Sequence, residues 1–152
     1  MIAELEIKPC IGLASLLFGA TMKEAEKEFG KAEEIEQMDD IEECEAIVWH
    51  YWNDGFSLFF DHEGSQTFNC VEIDNLHTQL WGVEVFKLKE KQIIELFRKK
   101  GITSYETELH DWGEKRLSFD TANIDFYFEK NKLISINYGK PSSDQPLLIL
   151  LN

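Results

Sequence analysis

Between Arg116 and Tyr138 the apolar residues fall on alternate positions. Leu117 and Phe119 are followed by Ile124, Phe126 and Phe128, and then by Ile134 and Ile136. A period of two commits a segment to strands with one face buried and one face wet. The predicted strands are 116–119, 124–129 and 133–138, with a turn at Asn131-Lys132. Arg116, Ser118, Asp120, Asp125, Tyr127, Glu129 and Asn137 are placed on the outer face.

A second set of strand signals lies earlier in the chain, at an offset of roughly 68 residues. Ile47 to Trp52 is β-branched and aromatic, Asn53-Asp54-Gly55 is a turn signal, and 56–61 and 67–73 complete a meander. Each set follows a helix signal. Thr21-Met-Lys-Glu24 is a capping box, in which hydroxyl and carboxylate satisfy each other's backbone N–H groups. That helix runs through Ala25 and Phe29, and Gly30 stops it in the left-handed conformation. The second runs from about Glu90 to Lys100 with Ile93, Ile94 and Phe97 as its apolar stripe, and Gly101 ends it. Phe18 matches Phe86, Phe29 matches Phe97, and Phe60 matches Phe128.

The fold expected from this order is α+β. Two tandem helix-plus-antiparallel-meander repeats, about 11–76 and about 79–140, form one sheet with the helices on one face. Residues 1–152 then make a single domain with a C-terminal docking tail over 141–152. The segments 3–7 and 147–151 are read as edge or docking pieces.

The stretch Gly12-Leu-Ala-Ser-Leu-Leu-Phe18-Gly-Ala-Thr21-Met-Lys-Glu24, ending at Phe29-Gly30, resembles the entry motif of β-lactamase-inhibitor-protein-like repeats. The same motif occurs in small outer-membrane assembly lipoproteins. Phe18, Gly19, Thr21 and Gly30 carry the first copy. The second copy departs from the motif, with Lys87, Lys89 and Arg98 in place of Gly19, Thr21 and Gly30. The resemblance implies tandem copies, each with a helical element before an antiparallel sheet, and a scaffold whose exposed sheet face grips a partner protein.

Transferring the inward positions of the second set to the first places Trp49, Tyr51, Phe56, Leu58, Phe60, Phe68 and Cys70 in the core. The outer face of the first set then carries Val48, His50, Trp52, Ser57, Phe59, Asp61, Asn69 and Val71. That face is too apolar for a solvated surface and reads as an interaction site. Residues 31–45, the C-terminal leucines or a second copy of the chain are the alternative occupants, the last giving a homodimer.

Charge separates the two halves. The net charge is −14, and the first 76 residues hold 18 of the 29 acidic residues but only 4 of the 15 basic ones. Most of the excess lies in Glu33, Glu34, Glu36, Asp39, Asp40, Glu42, Glu43 and Glu45. Dense like charge repels itself and favours an exposed loop. Beside aromatic anchors it suits a basic protein partner, with charge steering encounter and aromatics holding the complex. A pI near 4.6 excludes nucleic acid and anionic membrane as partners.

The first ten residues lack a signal-peptide core, because Glu4, Glu6 and Lys8 interrupt them. Cys10, Cys44 and Cys70 form no CxxC pair and read as reduced thiols of a cytoplasmic protein. No metal or cofactor is expected, since neither zinc spacing nor a DxDxDG calcium loop is present. GxSxG, HExxH, P-loop and GxGxxG patterns are absent as well. His62 and His110 have acidic neighbours in sequence, but adjacent strand residues point to opposite faces and make no dyad. The reading is a non-enzymatic protein-binding module of the immunity or inhibitor type. The alternatives are a homo-oligomeric structural protein and a small hydrolase or ligand-binding protein with a carboxylate site.

Overall fold

In the computed structural model the described residues are 5–38, 46–61 and 66–141. Eight antiparallel strands form one sheet. They are β4 (Glu34–Met38), β5 (Ala46–Tyr51), β6 (Phe56–Asp61), β7 (Phe68–Ile73), β10 (Glu106–Leu109), β11 (Glu114–Phe119), β12 (Ile124–Glu129) and β13 (Lys132–Gly139). Their order is β10-β11-β12-β13-β7-β6-β5-β4, so β13 and β7 join in the middle and β4 and β10 are the edges. A smaller sheet has the order β3-β2-β1-β8-β9, from β1 (Glu6–Lys8), β2 (Gly12–Leu13), β3 (Leu16–Leu17), β8 (Gln79–Leu80) and β9 (Val83–Glu84). Its central strand β1 runs antiparallel to β2 and parallel to β8.

This corrects the expected class. Strands make up 46% of the described residues against 19% helical, and the α-helices are two, α1 (Met22–Phe29) and α2 (Glu90–Lys99). The protein is mostly β with two sheets, not a pair of helix-plus-meander repeats. The strands that sequence reading omits share a physical reason. An edge strand such as β10 is exposed at all four positions, so burial leaves no alternation in it. The two-residue strands of the small sheet are too short to show a period at all.

Both helices lie against the inner face of the large sheet. Phe29 of α1 meets Phe56 at 5.1 Å and Tyr51 at 6.1 Å between ring centroids. Phe97 of α2 stacks on Phe119 at 4.0 Å and meets Phe126 edge-on at 5.7 Å. The capping box forms as read, since Glu24 N–H donates to Thr21 Oγ1 and Thr21 N–H to Glu24 Oε1, each at 3.1 Å. Gly30 ends α1 at φ 83° and ψ −170°. Its φ is positive as expected, but the ψ belongs to a region essentially reserved for glycine rather than to the left-handed helix.

The small sheet covers the remainder of the inner face. Phe18 packs on Phe68 at 4.9 Å, and Gly19 N–H donates to the Phe68 carbonyl at 2.8 Å while Phe68 N–H donates to Ala20 at 2.9 Å. The Phe18-Gly19-x-Thr21 stretch thus seats the small sheet on β7 and then starts α1.

Two bulges alter the inner and outer assignments. Phe59 pairs with Cys70 but Phe60 pairs with Phe68, so Asn69 is the extra residue in β7. Beyond it the faces exchange: Val71 is fully buried in the core, whereas Cys70 is half-buried on the outer face. In β13, Ile134 is the extra residue between the Tyr127–Ser135 and Phe128–Leu133 pairs. Leu133 therefore takes the core place expected for Ile134.

Candidate functional site

Glu33, Glu34, Glu36, His50 and Trp52 meet at one edge of the large sheet. Glu34–Met38 is a paired edge strand rather than a loop, in register with β5 so that Glu34 faces His50 and Glu36 faces Val48. Alternation then puts both carboxylates on the outer face beside His50.

His50 is the hub of this edge. Its Nδ1 lies 2.7 Å from Ser57 Oγ and its Nε2 lies 2.9 Å from Glu36 Oε1. The His50 side chain is only 12% exposed, so both contacts fix the ring in place. Trp52 stacks flat on it, with centroids 4.2 Å apart and planes 10° from parallel. The indole N–H of Trp52 donates to Glu34 Oε1 at 3.1 Å, and the Asn53 backbone N–H donates to Glu33 Oε1 at 3.0 Å. Glu33, Glu34 and Glu36 are thereby each tied to a neighbour through one oxygen. Trp52 remains 57% exposed, a rigid aromatic plate with one face on His50.

The apolar outer face is narrower than expected. Val48 is 1% exposed and Phe59 half-buried, and they continue across the sheet to Cys70 and Gly139. The adjacent row is polar on all eight strands: Glu34, His50, Ser57, Glu72, Asn137, Asp125, Ser118 and Glu106 sit side by side. Asp39, Asp40, Glu42, Glu43 and Glu45 lie outside the described residues, as do His62 and Cys44.

The far edge carries a counterpart that sequence reading missed. His110 stacks on Trp112 at 4.4 Å with planes 1° from parallel, and His110 Nδ1 lies 3.2 Å from Glu108 Oε1. Trp112 is 72% and Leu109 73% exposed. The signal was a His-x-Trp tripeptide present twice, at His50-Tyr-Trp52 and His110-Asp-Trp112. Both tripeptides stand where a strand gives way to a turn, after β5 and after β10.

Ser57, the hydroxyl end of the Ser57–His50–Glu36 chain, is buried. Among the described residues no group of three His, Cys, Asp or Glu side chains is placed to hold a metal ion. No helix of the described residues is long and apolar enough to cross a membrane. No protein-family model matches the chain, and no curated protein and no solved structure matches it either.

Proposed function

We propose that the chain is a non-enzymatic protein-binding module of the immunity or inhibitor type, acting in the cytoplasm. Its partner is a basic protein, captured by the β4–β5 edge. The observation that carries this reading is the juxtaposition of Glu33, Glu34 and Glu36 with the exposed, stacked Trp52. Fixed carboxylates steer a cationic surface, and a preorganised indole buries large area without losing rotamer entropy. A nuclease toxin is the class of partner that fits, because an active site built for phosphate is cationic and accepts carboxylates in its place. The resemblance of Phe18-Gly19-x-Thr21 and Gly30 to β-lactamase-inhibitor-like repeats supports a binding scaffold and says nothing of the ligand.

The test is a pull-down from the native host with the full chain as bait, alongside the Trp52→Ala variant. The expected result is a protein of basic pI that elutes with salt and is lost with the variant. Recovery of no basic protein overturns the reading. So does light scattering that shows a stable dimer whose dissociation requires Trp52, since the anchor would then serve self-association.

A further inference from the structure

A cavity of about 480 Å³ opens where the start of α2 meets the β12–β13 turn and the end of β10, away from the acidic edge. Four lysines line it: Lys89, Lys91, Lys115 and Lys130. They come from three separate places, the start of α2, strand β11 and the Lys130-Asn131 turn, so the fold rather than a local run of charge gathers them. In a chain of net charge −14 this is a conspicuous concentration of cations, and Glu90 is the one carboxylate in the lining.

Two further observations concern the same lining. Glu90 Oε1 receives Lys115 Nζ at 3.0 Å, but Glu90 Oε2 is buried and has no hydrogen-bond partner. Glu90 thereby neutralises Lys115, and the charges of Lys89, Lys91 and Lys130 remain in the lining. The helix start lacks a side-chain cap as well. Gln92 Oε1 accepts from the Lys89 N–H at 2.8 Å, but a lysine ammonium has no lone pair to accept the N–H groups of the first turn. Those N–H groups and the helix dipole favour an anion there. Leu109 and Phe128 supply the apolar part of the wall.

We propose that this cavity binds a small phosphate monoester. The phosphate takes the lysines and the first-turn N–H groups of α2. The carbon skeleton lies against Leu109 and Phe128. A compact dianion matches an excess of three cations better than a single carboxylate does. The site is independent of the basic-protein reading and stands or falls without it.

The experiment is an NMR titration of the full, ¹⁵N-labelled chain with glycerol 3-phosphate, ethyl phosphate, succinate and glycerol as separate probes. Glycerol 3-phosphate is expected to give saturable shifts at the amides of Lys91, Gly113, Lys115 and Asn131. Ethyl phosphate, which keeps the phosphate and a short carbon chain, should bind at the same site, and glycerol should not bind. Lys89→Gln and Lys130→Gln, at exposed positions that the fold does not need, should each weaken glycerol 3-phosphate about tenfold. Binding of succinate equal to glycerol 3-phosphate, or failure of ethyl phosphate to bind, overturns the phosphate assignment. Shifts that do not saturate, that map elsewhere, or that survive both lysine substitutions overturn the site.

Discussion

Tyr138 donates its phenol O–H to the backbone carbonyl of Gly12 at 3.0 Å, joining two positions 126 residues apart. The bond lies in the buried seam between the small sheet and the centre of the large one, where Phe18 also meets the Tyr138 ring at 6.0 Å. Tyr138→Phe keeps the ring and leaves the Gly12 carbonyl without this donor. The cost is expected to be about 1–2 kcal/mol, read as a lower urea midpoint with an unchanged slope. An unchanged midpoint would show that the bond has no net worth.

The same phenol makes stability fall at alkaline pH. Burial, and then the nearby Cys70, hold Tyr138 well above its ordinary value. Burial, and then the charge of Glu26, push Tyr51 up to about 12. Tyr51 also donates to the Gly30 carbonyl at 2.8 Å, a bond that needs the proton. Above about pH 10 the unfolded chain releases protons that the folded chain retains, so unfolding becomes easier as pH rises. Each phenol contributes a slope of about 1.4 kcal/mol per pH unit between its unfolded and folded values. Denaturation measured between about pH 9 and 11 should show this decline, and the Tyr51→Phe, Tyr138→Phe double variant should flatten it.

How much of this was legible depended on what burial writes into a sequence. The central strands β5, β6, β12 and β13 declare themselves because one face must be apolar, and α1 because Thr21 and Glu24 satisfy each other locally. The bulges at Asn69 and Ile134 were not legible. An extra residue in one strand is defined by the partner strand, so Cys70 and Val71 exchange faces with no local sign. The fold class failed for a related reason: β4 and β10 are edges, and the five short strands of the small sheet are fixed by long-range pairing such as β1 with β8. At the site, the sequence points to Glu34, Glu36, His50 and Trp52, but dense like charge reads as a loop where the structure has the edge strand β4 that brings them into contact. The lysine cavity was invisible, because its cations are up to about forty residues apart and converge only on folding.

Gly12 offers a steric test of the same seam. A Cβ built there would sit 2.0 Å from the Leu16 carbonyl oxygen and 2.9 Å from the Leu17 Cα, both backbone atoms of β3. Backbone in a paired strand cannot move aside as a side chain can. Gly12→Ala is expected to cost more than about 3 kcal/mol, through overpacking and loss of the β2–β3 pairing. Thermal unfolding checks this, with Gly82→Ala as the comparison. At Gly82 a Cβ meets no atom within 4 Å and only its φ of 80° opposes substitution, so a loss of about 1 kcal/mol is expected.

The acidic edge and its aromatic anchor should separate kinetically. Glu33, Glu34 and Glu36 are exposed, and their charge acts on a cationic partner before contact, so the triple Gln substitution should slow association. The expected loss is about tenfold in the on-rate at low salt, shrinking as salt screens the field. Trp52 acts after contact. Trp52→Ala should leave the on-rate nearly unchanged and speed dissociation about thirtyfold, the worth of a buried aromatic anchor of about 2 kcal/mol. Neither change should much affect folding, because Ser57 holds His50 in both variants and, in the triple variant, a side-chain amide at position 36 still reaches His50 Nε2. Glu36→Gln alone is the informative intermediate: an amide still reaches His50, so the stack persists while one charge is lost. Surface-plasmon kinetics with the captured basic partner would decide the matter. If Trp52→Ala and the triple Gln variant both acted on the on-rate, the indole would be guiding encounter rather than anchoring the complex, and the division of labour between β4 and Trp52 would be wrong.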